Sequence, residues 1–259
     1  MEFDIENIRV GIMFNAFVSG IVASIAFAFG IFLFRRWKKL DDSMRAYAWF
    51  WIMTMIVWAS SSVRYLIVGL GFFNPGDAYY GSSIHYFDIL LQGSIFFTGP
   101  PLFYYAGSRI FKNYRVAQAL SALSFIIGIA ALRFLIGENG ITAPQFTYFS
   151  ADSSITRYLF MVFTAQAAVI LLMLLYDTAN NLRLWWTTGG IRFRFFALYS
   201  LIIVIYTVLG SIDQSKIVID WPLVLFRLLY SAAFLMAYIT VTEHEASEEE
   251  YLIEEKKII

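Results

Sequence analysis

The chain has 259 residues, of which 59% are hydrophobic and only 15% charged, against about 25% charged in an ordinary soluble domain. At a mean hydropathy of +0.66, a soluble protein of this size would expose too much apolar surface to stay dispersed; a cytosolic enzyme and a disordered chain are excluded. Lys+Arg is 19 and Asp+Glu is 19, which leaves no basic excess for nucleic acid, and the lack of cysteine excludes disulfides, thiolate metal sites and thiol catalysis.

A helix needs about 20 mainly apolar residues to cross the hydrocarbon core of a bilayer. Seven stretches qualify, at roughly 10–34, 47–71, 87–108, 116–136, 158–176, 195–212 and 220–241. The expected fold is therefore an all-α, polytopic integral membrane protein: a seven-helix transmembrane domain over 1–241, followed by an acidic tail over 242–259. No sustained period-2 alternation supports a membrane barrel.

Met1–Glu6 is acidic, and the first span is longer than the apolar region of about 7–15 residues in a cleavable signal peptide. It reads as a retained helix with small residues Ala23, Ala26 and Gly30 on one packing face. The first connection carries Arg35, Arg36, Lys38, Lys39 and Arg45, with Asp41-Asp42 as a solvated pair. The second span contains Arg64. The link at 72–86 has no Lys or Arg and turns at Asn74-Pro75-Gly76-Asp77. The third span contains Asp88 and Gln92. It also holds Thr98-Gly99-Pro100-Pro101, where two missing backbone donors predict a kink or break at Gly99, Pro100 and Pro101.

Arg109, Lys112 and Arg115 follow the third span, and the longest link, 137–157, follows the fourth. Gln166 lies near the middle of the fifth span, with Ala165 and Ala168 beside it for packing, and Arg183, Arg192 and Arg194 come after it. A tight turn over 213–219, holding Lys216, predicts an antiparallel hairpin of the last two helices. Arg227 interrupts the seventh span. Glu243, Glu245, Glu248, Glu249, Glu250, Glu254 and Glu255 then outnumber Lys256 and Lys257, as expected of a solvated helix end or a docking tail for a cytoplasmic protein.

The positive-inside rule puts the three basic links in the cytoplasm, so the N-terminus is expected outside and the C-terminus inside. The chain holds no Asn-x-Ser/Thr acceptor, which leans toward a prokaryotic plasma membrane. Arg64-Tyr65-Leu66-Ile67 and Arg133-Phe134-Leu135-Ile136, each followed about 20 residues on by Ser-Ser-Ile, hint at a duplicated hairpin. Trp residues near helix ends fit an interfacial belt. Tyr79, Tyr80, Tyr86, Phe146, Tyr148 and Phe149 crowd the outer loops as part of that belt or as a ligand cup.

An intramembrane charge costs roughly 2.5–3.5 kcal/mol unless paired or hydrated, so such residues are the main functional pointer. Arg64 and Arg227 each lie about 10 Å below the outer end of their helices. Asp88 sits at the outer end of the third helix, with Gln92 one turn deeper on the same face. The expected arrangement is an outer-half polar cluster of Arg64, Asp88, Gln92, Gln166 and Arg227. In it Asp88 pairs with Arg64 or Arg227 and Gln92 bridges. It is either a ligand or ion site, or a structural ion pair with the arginines snorkelling outward.

Catalytic motifs are missing: no Gly-x-Ser-x-Gly, no His-Glu-x-x-His and no phosphate loop occurs, and His85 and His244 fall on opposite sides of the membrane. No enzyme activity, cofactor or metal is expected. His85-Tyr86-Phe87-Asp88 loosely resembles the Arg-Tyr-x-Asp start of the third helix of retinal proteins. The lysine that family needs in its seventh helix is absent from 220–241, which excludes retinal binding. The layout is also generally similar to the seven-helix input regions of bacterial sensor kinases. Three functions stay open: a receptor-like sensor binding a ligand from outside and signalling to a cytoplasmic partner, a small transporter or channel using the kinked third helix, and a non-catalytic subunit or oligomer in a larger membrane complex.

Overall fold

A computed structural model describes residues 5–111, 113–137, 140–215, 217–218 and 220–258. Lys112, Glu138 and Lys216, and the side chains of Glu245, Glu248, Glu249, Glu250, Glu254, Glu255, Lys256 and Lys257, lie outside what is described, as does the acidic character of Met1–Asp4. The described residues are 82% helical. Among the described residues six helices contain segments long and apolar enough to cross a membrane, as expected of a multi-pass membrane protein. They are α1 (Ile5–Arg35), α2 (Asp42–Gly69), α5 (Tyr114–Ile136), α6 (Arg157–Thr188), α7 (Ile191–Gln214) and α8 (Trp221–Ile258).

The third expected helix is two helices, α3 (Ser83–Phe97) and α4 (Gly99–Ile110), meeting at Thr98. Prolines in the first turn of α4 need no intrahelical donor there, so the chain restarts a helix at the point where it could not continue one. Other boundaries move for equally local reasons. The expected start at 47 moves back to Asp42 because Asp41 caps α2, its carboxylate accepting from the Met44 N–H at 2.7 Å, while Asp42 pairs with Arg45 at 3.2 Å. The expected end at 176 moves to Thr188, where Gly189 at φ +69° closes the helix through a bond to the Trp185 carbonyl. α6 thus spans about 48 Å and carries Asp177, Asn181 and Arg183 beyond the expected end.

The helices close a ring: α1 packs on α2 and α8, α7 on α6 and α8, and α4 on α2 and α6. α3 joins α2, and α5 packs from outside against α3 and α4. One end of the ring carries Arg35, Arg36, Lys38, Lys39, Arg109, Arg183, Arg192 and Arg194 and is the basic end. The other carries the connections 70–82, 137–156 and 215–220 and is the loop end.

At the loop end two short strands, β1 (Gln145–Phe146) and β2 (Ala151–Asp152), pair antiparallel, and an Ile141–Ile155 bridge extends the pairing. Pairing within the loop satisfies backbone groups that lie over the bundle. The tip of this hairpin presses on α1: a Cβ on Gly11 would overlap the Tyr148 carbonyl oxygen, and Asn15 donates to the Phe149 carbonyl at 2.7 Å.

Two cores result. One, beneath the hairpin, includes Ile8, Tyr65, Phe73, Tyr79 and Leu135. The larger one, toward the basic end, is aromatic, with Trp51 in edge or tilted contact with Tyr47, Phe50, Tyr206 and Phe234. The two segments of the expected duplication differ in burial, Arg64 being buried and Arg133 exposed. Tyr79 and Phe146 belong to the packed cap, Phe146 stacking on Phe73 at 6.3 Å.

Candidate ligand cavity

Five charged side chains converge beneath the hairpin. Arg64 of α2 faces Asp88 of α3 at 2.5 Å, with side chains 2% and 1% exposed. Asp88 also accepts from the Tyr79 hydroxyl at 2.8 Å. The far side of the Arg64 guanidinium donates to the Ala151 carbonyl and lies 3.4 Å from Asp152 of β2. Asp152 accepts from the Tyr65 hydroxyl and sits 3.6 Å from Arg227 of α8. Arg227 then reaches Asp213 of α7 at 3.7 Å and donates to Asn15 of α1 at 2.8 Å. The network therefore ties α1, α2, α3, α7, α8 and the hairpin together.

The expected cluster is repartitioned. Asp88 pairs with Arg64, not Arg227, because Asp152 lies between the two arginines and takes both. Gln92 is buried but does not carry the bridge; Asp152 does. Gln166 donates to Ser124 of α5 at 3.2 Å, joining α6 to α5 and not to the charged groups. Neither arginine snorkels: at 2% and 4% exposed, both are sealed by protein.

Directly below the network is a cavity of about 130 Å³. Arg64, Asp88, Gln92, Asp152, Asp213 and Arg227 line its loop end. Phe50, Trp58, Phe96, Tyr206 and Tyr230 line its deeper part, and Leu91, Thr98, Gly99 and Gln166 reach its wall. Gly99 is required at the break, since a Cβ there would stand 2.6 Å from the Ser124 hydroxyl. Gly210 is the reverse case: a Cβ there would meet nothing within 4 Å, because it faces the void. Pro100 and Pro101 instead border an outer groove between α2, α4 and α5.

A second polar center lies toward the basic end. Asp177 of α6 accepts from Arg109 of α4 at 2.8 Å, Ser200 of α7 at 2.5 Å and Asn181 at 2.8 Å. Ser200 also meets the Tyr105 hydroxyl at 3.2 Å, and Tyr199 contacts His244 of α8 at 3.0 Å.

Several site residues were missed in the sequence: Asn15, Asp152, Asp213 and Asp177. Asn15 stood inside a span as an uncharged residue, and the three aspartates stood in or beside segments taken as loops. An unexplained polar residue in the first apolar run was the one signal available for Asn15. Among the described residues no group of three His, Asp or Glu could hold a metal ion. The chain matches no family model and no curated protein.

Proposed function

We propose that the chain is a receptor-like membrane protein whose loop-end cavity binds a small ligand from the outer side of a prokaryotic plasma membrane. In this reading α3 and α4 together make the third of seven spans. Their combined length of about 40 Å exceeds a hydrocarbon core of about 30 Å. The basic end faces the cytoplasm by the positive-inside rule, which puts the N-terminus outside.

The observation that carries the proposal is the void itself. Protein interiors leave few spaces of this size, and an ion-pair lock needs none beside it. Here a charged rim and an aromatic floor converge on empty space that Gly210 helps to keep open. Such a pocket, mostly apolar with a few converging polar groups, is the usual form of a small-molecule site.

From its floor an aromatic column leads onward. Trp58 donates to Tyr206 at 3.0 Å, Tyr206 contacts Trp51, Trp51 contacts Tyr47, and Tyr47 contacts Tyr199 beside His244. Occupancy of the cavity is thereby coupled to the point where α8 leaves the bundle, and the helix beyond it is the contact for a cytoplasmic partner. No catalytic role is proposed. A second reading, a small transporter, draws on the helix break at Thr98-Gly99, which stands in the cavity wall.

The test is a thermal-shift screen of small molecules on the intact chain in mild detergent, with Gly210→Leu as the filled-cavity control. Ligands that raise the melting temperature of the wild type by several degrees and leave Gly210→Leu unmoved support the reading. Ligands that stabilise both alike, or none at all, overturn it.

A further inference from the structure

The charges around the cavity do not balance. Among the described residues that line it, three carboxylates (Asp88, Asp152 and Asp213) face two guanidiniums (Arg64 and Arg227). The imbalance is local. Arg64 is committed to Asp88, Asp152 and the Ala151 carbonyl, and Arg227 to Asn15 and Asp152. Asp213 is left with the longest ion pair of the network, 3.7 Å, and with a side chain 19% exposed.

Its position on α7 is equally specific. Gly210, Asp213 and Gln214 stand at i, i+3 and i+4, a spacing that places them on one helix face, and all three line the cavity. The missing side chain at Gly210 leaves the void open one turn below the Asp213 carboxylate. On the same side lie three aromatic rings packed edge to face. Tyr230 is 4.7 Å from Trp58 and 5.1 Å from Tyr206 between ring centroids.

A carboxylate with spare acceptor capacity, held at the edge of a low-dielectric space lined by electron-rich rings, selects for positive charge. A primary ammonium offers three donors and no acceptor, which suits the weakly engaged Asp213 carboxylate. Size limits the remainder of the ligand. An apolar cavity of about 150 Å³ admits a benzene ring, so a void of about 130 Å³ takes one ring or a short aliphatic chain.

We propose that the cavity binds a small organic ammonium with a single-ring or short apolar body, its charge at Asp213 and its body along Trp58, Tyr206 and Tyr230. This rests on the ligand-cavity reading and adds to it the chemical class of the ligand.

Three probes that share a phenylethyl body test it on the intact chain in detergent, by melting temperature and tryptophan fluorescence: 2-phenylethylamine, its near-isostere 2-phenylethanol, and the slightly larger 3-phenylpropionate. The expected result is that the amine binds at least about tenfold more tightly than the alcohol, and the acid most weakly. Asp213→Asn abolishes the preference for the amine and leaves the alcohol within about twofold of wild type. Gly210→Leu removes binding of both. If amine and alcohol bind equally to the wild type, or Asp213→Asn keeps the preference, the ammonium assignment is overturned while the cavity reading stands. If the acid binds best, the assignment is overturned in favour of the arginines. If none of the three binds, or if Gly210→Leu binds them like wild type, both are overturned. Should Asp213→Asn fail to fold, Asp213→Glu keeps the charge and is expected to keep the preference for the amine, and its loss there overturns the assignment.

Discussion

Arg64 and Asp88 meet at 2.5 Å with their side chains only 2% and 1% exposed. Removing one member of such a pair leaves a buried uncompensated charge, which costs about 3–5 kcal/mol, whereas replacing both with apolar groups of similar volume is often close to neutral. Asp88→Leu is expected to lower the melting temperature in detergent sharply, and Arg64→Met with Asp88→Leu to recover most of the loss. A single variant that melts with the wild type would show that the pair contributes nothing to the fold.

Tyr79 gives the network a pH dependence. Burial first, and then the neighbouring Asp88 carboxylate, push its hydroxyl above the ordinary tyrosine value, which is about 10. Folding therefore favours the protonated phenol. That contribution is complete below about pH 10 and is lost as pH climbs from there toward the raised value of the folded state. Melting of the wild type and of Tyr79→Phe, compared from about pH 8 upward, should give a difference that is constant up to about pH 10 and shrinks above it. A difference that grows with pH contradicts the assignment.

At the helix break there is no room for a side chain on Gly99. A Cβ there would press on the Ser124 hydroxyl, which accepts from Gln166 at 3.2 Å. Gly99→Ala should cost about 1–3 kcal/mol through overpacking. Adding Ser124→Ala should return most of it, less about 1 kcal/mol for the lost hydrogen bond. Melting curves of the two variants check this, and an additive double variant refutes it.

At the basic end Asp177 holds three donors from three helices: Arg109 of α4, Asn181 of its own helix and Ser200 of α7. Asp177→Leu strands Arg109 and is expected to be as damaging as Asp88→Leu, about 3–5 kcal/mol. Asp177→Asn keeps the shape and should cost less. An Asp177→Asn variant that melts with the wild type would mean that the charge of Asp177 is immaterial to the fold.

Much of the architecture was legible in the apolar runs, because length and composition alone decide whether a segment can leave water. The break at Thr98-Gly99-Pro100-Pro101 was legible for the same kind of reason, as proline chemistry is local. What the sequence could not supply was any contact made across it. Arg64, Asp88 and Arg227 stood out by being charged among apolar neighbours, but their partner Asp152 lay in a link with ordinary polar composition. Only the hairpin fold brings it over the bundle. Asp177 was hidden by a misplaced helix end, since polar residues near a membrane interface look the same whether they leave the helix or turn inward. Gln166 drew notice as an intramembrane amide, yet its partner is a serine, a residue with no signal of its own.

The most direct test of the account uses the absence of cysteine from the chain, which makes any introduced thiol the only one. Gly210→Cys places a thiol on the cavity wall with no neighbour against its Cβ, and 2-aminoethyl methanethiosulfonate is small and positively charged. In sealed vesicles with the outer face exposed, Gly210→Cys should be modified rapidly, as should a loop control at Asp77→Cys, and 2-phenylethylamine should slow only the former. Modification of Gly210→Cys solely from the inner face, or none while Asp77→Cys reacts fully, would contradict a ligand cavity open to the outside.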